Sequence, residues 1–186
     1  MTVKKSTIMM TLVFLIGLLA SGTAYYLTKN SILYAVAITF GTTFYHFAMR
    51  LAIGYVIDAK YHNHMDDTKK WFQERSFEPQ LYKWIRVKKW KKYLPSFRPE
   101  DFRFRQHSAE AVIQATCQAE IVHEVIMVLS FVPVVFSVWF GAASVFWITS
   151  WLAFLFDGAF VILQRYNRPR LKRLIKKSCH INAISE

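Results

Sequence analysis

Acidic residues are scarce in this sequence. Twelve Asp and Glu stand against twenty-four Lys and Arg, and all charged residues make up only 19% of the 186 positions. An ordinary soluble domain is about 25% charged. Cysteine is scarcer still. Cys117 and Cys179 are the whole complement, far apart in sequence, which excludes a disulfide scaffold and any zinc-type cysteine spacing. No internal repeat and no low-complexity tract is present. The chain is instead rich in apolar residues: 54% are hydrophobic, 17% are aromatic, and the net charge is +12. That pairing excludes a disordered chain, a collagen-like fibre and a nucleic-acid domain with an ordinary core. It points to an integral membrane protein with basic surfaces at one face of the bilayer.

Four apolar runs carry that reading. Residues 8–27 hold no charge and have the length of a membrane span, about 20 residues. A cleaved leader is the alternative there, since Gly22-Thr23-Ala24 is a passable cleavage site. A second run, residues 31–57, follows at once, so a hairpin of two membrane helices is simpler. Its link, Thr28-Lys29-Asn30, is short enough to force antiparallel neighbours. The third run covers 109–140, with Pro133 placed to kink it, and the fourth covers 142–163. Gly141-Ala142-Ala143-Ser144 makes a tight connection between them.

Residues 58–108 are different material. Thirteen Lys and Arg oppose seven Asp and Glu, interleaved with Trp71, Trp84 and Trp90 and broken by Pro79, Pro95 and Pro99. Asp66-Asp67 ahead of Lys69-Lys70-Trp71-Phe72 reads as a capped helix start. Residues 81–94 read as a helix lying in the membrane surface, although 82–87 also alternate as a strand would. Basic residues mark the cytoplasmic side, so both termini and this segment are expected inside and the two short links outside. The expected fold is all-α: four transmembrane helices in two hairpins, with a basic amphipathic cytoplasmic segment between them. The expected divisions are 1–58, 59–108, 109–164 and a basic tail, 165–186.

Ionisable groups in hydrocarbon are costly, about 2.5–3.5 kcal/mol each on insertion scales, and here they are not scattered. His46 lies about 15 residues, roughly 22 Å, from the outer end of the second run, with Arg50 one turn on. Glu120, His123 and Glu124 share a face of the third run, and Asp157 falls in the inner half of the fourth. Antiparallel counting brings all six to similar depth. Such a cluster either glues helices together or forms an acid–base site. An imidazole exchanges a proton near neutral pH, and Glu120 at i−3 suits fixing the tautomer of His123.

Weaker signals stand beside these. His46, Glu120, His123 and Glu124 are metal-ligand types, but no His-x-x-x-His or Glu-x-x-His repeat supports a metal, and none is expected. His62 and Asp67 match the His-x4-Asp spacing of one glycerolipid acyltransferase class without its flanking residues, a chance match. Cys117 is of a type that carries acyl thioesters, but a lone membrane-helix cysteine is more often filler. The basic segment has topology as its bland explanation. Its functional reading is binding of anionic headgroups or coenzyme A phosphates. Nucleic acid is a poor partner for charges held against a membrane.

Three stretches carry a family resemblance. They are Trp84-Ile85-Arg86-Val87-Lys88-Lys89-Trp90-Lys91-Lys92, Ala119-Glu120-Ile121-Val122-His123, and Gln164-Arg165-Tyr166-Asn167-Arg168-Pro169-Arg170-Leu171. Their order and spacing resemble those of the glycosyl-4,4'-diaponeurosporenoate acyltransferase family, over roughly residues 71–174. That family performs the acylating step of staphyloxanthin-type carotenoid synthesis in bacterial membranes. The resemblance implies transfer of a fatty acyl group to a hydroxyl of a lipid, glycolipid or glycosylated carotenoid, in a multi-pass protein of the bacterial cell membrane. It implies no bound cofactor, with acyl-CoA or acyl carrier protein as donor. On it, His123 is the expected general base, oriented by Glu120, with His46 second. Arg50, Arg165 or Arg168 would stabilise the oxyanion. The basic segments 86–92 and 165–173, with Arg86, Lys88, Trp90 and Arg170 among them, would hold the donor, with Glu124 and Asp157 in the substrate site. Asn167 would cap the last helix or donate to the oxyanion. Two other classes compete: a non-catalytic membrane scaffold that recruits partners through its basic face, and a small transporter.

Overall fold

The computed structural model describes residues 3–94 and 108–184, with side chains over 4–94 and 108–176. Pro95 and Pro99 lie outside the described residues, as do the side chains of Lys177 and Cys179. The described residues form helices, turns and short irregular links, with no strand among them. The α-helices are α1 (Val3–Thr28), α2 (Ser31–Tyr61), α3 (Glu78–Trp84), α4 (Val87–Trp90), α5 (Ala109–Leu129), α6 (Val132–Phe140) and α7 (Ala143–Ile184). Short 3-10 turns span Lys70–Phe72 and Lys91–Tyr93. Four stretches are long and apolar enough to cross a membrane: Lys4–Thr28, Ser31–Tyr61, Ala109–Phe140 and Ala143–Lys176. Their outward faces expose Ile16, Leu19, Val138 and Leu155, surface that hydrocarbon tolerates and water does not. This is a membrane protein.

The chain forms two compact units. The first comprises residues 1–56 and 124–158. Its hairpin turns on Lys29, in the left-handed region at φ 53°, with its N–H on the Tyr25 carbonyl at 2.7 Å. Asn30 then caps α2, its Oδ1 accepting from the Ile32 N–H at 2.8 Å. Gly17 lets α1 approach the Phe40 ring, which a Cβ would meet at 2.5 Å. Pro133 does more than kink the third run. It ends one helix and starts another, sitting in the first turn of α6, where its missing N–H is not needed. The Tyr45 hydroxyl donates to the Leu129 carbonyl beside that break, at 2.9 Å. Gly141 and Ala142, both at positive φ, make the tight connection into α7.

The second unit comprises 57–123 and 159–186. Two local expectations are corrected here. Asp66 does not cap a helix. Its Oδ1 accepts from the Thr68 N–H and hydroxyl, closing a local turn, and only a 3-10 turn follows. These bonds hold the Asp66 carboxyl below its usual range. Residues 81–94 are not one surface helix, nor a strand. The helix stops at Trp84, Arg86 turns the chain in the left-handed region at φ 53°, and α4 and a 3-10 turn follow. The reason is packing: Tyr82, Val87 and Tyr166 form a core with Ile85, Trp90 and Ile162 against it, which a straight helix would not bring together. The Trp90 indole N–H donates to the Ile85 carbonyl at 2.9 Å, so this tryptophan braces the turn. α7 runs on from the apolar run through Pro169 to Ile184. Proline there removes a helical hydrogen bond and would normally break the helix. Side-chain bonds on either side of it hold α7 in place.

Candidate functional site: a buried ion network and a basic cleft

Four residues before Pro169, Arg165 sits on the face of α7 that meets α3 and α5. All five of its N–H groups are engaged. Nε and Nη2 donate to Glu78 Oε1 at 2.9 and 2.5 Å. Nη1 donates to Glu120 Oε1 at 2.6 Å and to the Trp71 carbonyl at 2.9 Å. Nη2 also donates to the Gln73 carbonyl at 3.0 Å. Arg168, 1% exposed, donates to Glu120 Oε2 at 2.5 Å, to the Thr116 hydroxyl and carbonyl, and to the Phe72 carbonyl. Glu120 is 0% exposed and Glu78 is 4% exposed. A buried and a half-buried arginine thus face two buried carboxylates, an arrangement that survives burial only because it is neutral and almost fully hydrogen-bonded. It ties α3, the loop at 71–73, α5 and α7 into one body. Glu78 Oε2 also accepts from the Tyr82 hydroxyl at 2.8 Å. Burial and that carboxylate push the Tyr82 phenol well above its usual pKa.

On this frame the basic residues gather around an open cleft of about 560 Å³. Lys83 of α3, Arg86 of the turn, Lys88 and Lys89 of α4, and Arg170 and Arg173 of α7 line it, with Glu74 as its one carboxylate. Glu74 faces Arg173 at 3.4 Å. Tyr82 and Tyr166 form the apolar floor, and the Arg170 guanidinium lies 3.4 Å from the Tyr166 ring centroid. The left-handed turn at Arg86 aims α3 and α4 at one mouth. Six cations against one paired carboxylate make a strongly positive concavity, suited to phosphate oxygens.

The predicted residues divide as follows. Arg86, Lys88 and Arg170 line the cleft. Lys89 and Arg173, inside the two basic segments expected to hold the donor, join them, and so does Lys83, which was not singled out from sequence, where only the general excess of basic residues marked it. Arg165, Arg168 and Glu120 are committed to one another beneath it. Trp90 packs in the small core. Asn167 does not cap a helix: it lies inside α7, its Oδ1 accepting from Lys91 Nζ at 3.3 Å. The His123 ring stacks on Phe160, centroids 4.6 Å apart. His62 is exposed at a left-handed position, and Asp67 pairs with Lys172 at 2.5 Å. Cys117 is buried. Among the described residues, no three His, Cys, Asp or Glu side chains gather as a metal site. In the first unit Arg50 pairs with Asp157 and donates to the His46 carbonyl at 2.9 Å. His46 is 5% exposed. Glu124, in the same unit, is half-buried.

The model of the family glycosyl-4,4'-diaponeurosporenoate acyltransferase matches residues 68–177, well over half of the chain. The chain belongs to that family. The matched stretch takes in the ion network's arginines and carboxylates and every residue lining the cleft. Family membership makes the protein a transferase. No curated protein and no solved structure matches it.

Proposed function

We propose that this family member is a membrane-embedded acyltransferase. It moves a fatty acyl group from an acyl thioester, acyl-CoA or acyl carrier protein, to a hydroxyl of a lipid or glycolipid acceptor, with a glycosylated carotenoid the form the family's description favours. The observation that carries this reading is the cleft: six cations converge on a concavity large enough for a polyphosphate. The donor's phosphates bind there to Lys83, Arg86, Lys88, Lys89, Arg170 and Arg173, while its acyl chain stays in the membrane. The acceptor oxygen attacks the thioester carbonyl, the carbon–sulfur bond breaks, and the acceptor's proton passes through a histidine to the departing thiol. His123 and His46 are the two candidates. Arg165, Arg168 and Glu120 act as positioning residues that hold α3, α5 and α7 in register. On this reading the cleft faces the cytoplasm, where acyl thioesters are made, and the protein lies in a bacterial cell membrane.

Membrane lipidomics tests the proposal, comparing cells with the wild-type protein, with a Lys88→Glu/Arg170→Glu variant, and without the protein. A lipid heavier by one fatty acyl unit, present with wild type and lost or strongly reduced with the variant, is the expected result. No such lipid in any sample, with the protein folded and inserted, would favour the scaffold instead.

A further inference from the structure

The first unit holds a second cavity, of about 340 Å³, lined among others by Leu18, Tyr34, Thr42, Tyr45, Phe136 and Phe146. This is within the usual range for small-molecule sites, about 300–1,000 Å³. The hydroxyls of three lining residues are engaged by backbone. Tyr34 donates to the Phe140 carbonyl at 2.9 Å, Tyr45 to Leu129 at 2.9 Å, and Thr42 to Thr39 at 3.1 Å. The walls therefore present hydrocarbon and aromatic faces.

One helical turn beyond the wall the chemistry changes. His46 follows Thr42 on the same face of α2, and Ser150 follows Phe146 on the same face of α7. The Arg50–Asp157 pair, further along both helices, shows that these two faces meet. His46 is 5% exposed and Ser150 0%. Both ring nitrogens of His46, the Ser150 hydroxyl and the Arg50 Nε have no hydrogen-bond partner. Native proteins rarely leave such groups buried and unmatched, at about 1–3 kcal/mol each.

We infer that this unit seats a long-chain alcohol, with its hydrocarbon in the cavity and its hydroxyl against His46 and Ser150. The hydrogen-bond inventory selects the headgroup. Neutral imidazole offers one donor and one acceptor, Ser150 offers both, and Arg50 Nε offers a donor. A hydroxyl can donate to the bare imidazole nitrogen while accepting from Ser150 or Arg50. A carboxylate only accepts, so it leaves that nitrogen unmatched and sets a second negative charge near Asp157. Arg50 and Asp157 already neutralise each other, so nothing calls for a charged head. Calling this alcohol the acyl acceptor rests on the proposed acyl transfer.

The test is photolabelling of the full-length protein in detergent with a diazirine-bearing 1-hexadecanol, followed by peptide mass spectrometry. Label is expected on α2, α6 and α7, competed by 1-hexadecanol but not by hexadecane or palmitate. Thr42→Trp, which fills the cavity, should cut labelling about tenfold, equivalent to about 1.4 kcal/mol. His46→Phe should retain labelling while losing the preference for alcohol over alkane. Equal competition by hexadecane, or labelling indifferent to Thr42→Trp in a protein with unchanged melting, would overturn the inference. Adding palmitoyl-CoA to the same preparation separates the two claims. Selective alcohol labelling without ester formation keeps the seat and removes acyl transfer, whereas ester formation without selective labelling does the reverse.

Discussion

Arg165 of α7 and Glu120 of α5 are joined at 2.6 Å, and each is joined to a second partner of opposite charge, Glu78 and Arg168. The four side chains are the keystone of the second unit. They hold in place the cleft that its surface cations line.

Removing one charge should therefore cost more than removing two. Glu120→Leu leaves Arg168 buried beside an uncompensated centre, and about 3–5 kcal/mol of stability should be lost. The pair Glu120→Leu/Arg168→Met removes the stranded charge with it and should lose less. Thermal unfolding of both variants in one detergent checks the order. A double variant weaker than the single one would show that the network stabilises as a set of bonds rather than by charge balance.

Charge reversal at the cleft should act on the donor, not on chemistry. Arg86→Glu with Arg170→Glu should raise KM for an acyl-CoA while leaving kcat little changed. The wild-type KM should rise with salt, because exposed charges are screened within about 8–10 Å near physiological ionic strength. Steady-state kinetics at two salt concentrations read both effects. A fall in kcat alone would remove the cleft from donor binding.

Arg86 carries charge and a left-handed backbone at once. That conformation costs an L-residue about 1–2 kcal/mol and glycine almost nothing. Arg86→Gly should therefore unfold at a higher temperature than wild type while binding donor less well. Arg86→Val should lose on both counts, since a β-branched residue fits the left-handed region worst.

At Gly17 of α1 a Cβ would meet the Phe40 ring of α2. Gly17→Leu should destabilise by about 1–3 kcal/mol through overpacking. Phe40→Ala in the same chain should recover part of the loss, which two melting curves would show.

Alkali should loosen the second unit through Tyr82. Its phenol is buried against Glu78, so its folded pKa lies above the unfolded value. Its contribution is complete below about pH 10, the unfolded phenol's pKa, and is lost as pH rises toward the folded value. Stability measured from pH 8 to 11 should fall at the upper end. Tyr82→Phe should flatten that slope while leaving Glu78 short of one donor.

Much of the fold was legible because membrane insertion imposes crude, local rules. Twenty apolar residues in a row, a three-residue link holding Asn30 and a proline at 133 suffice to predict helices, turns and breaks. The basic run around Arg86 was legible for the same reason, as an excess of one sign of charge. Its shape was not. Periodicity suggests one helix over 81–94, but the burial of Tyr82, Val87 and Tyr166 together bends it into two, and nothing local records that Tyr166 is their neighbour.

The candidate residues divide along the same line. Sequence alone could mark Glu120 as an expensive charge on an apolar helix, because burial cost depends only on residue type and hydropathy, whereas Arg165 and Arg168 read as part of a basic tail. Which charge neutralises which depends on how α3, α5 and α7 pack. That packing pairs Arg165 and Arg168 with Glu78 and Glu120 and leaves Lys83, Arg86, Lys88, Lys89, Arg170 and Arg173 lining the cleft. Composition determined that this chain lies in a membrane and carries excess positive charge. Only tertiary structure decided which of those charges are cancelled inside and which line an open cleft, because ion pairing is set by distances between segments far apart in sequence.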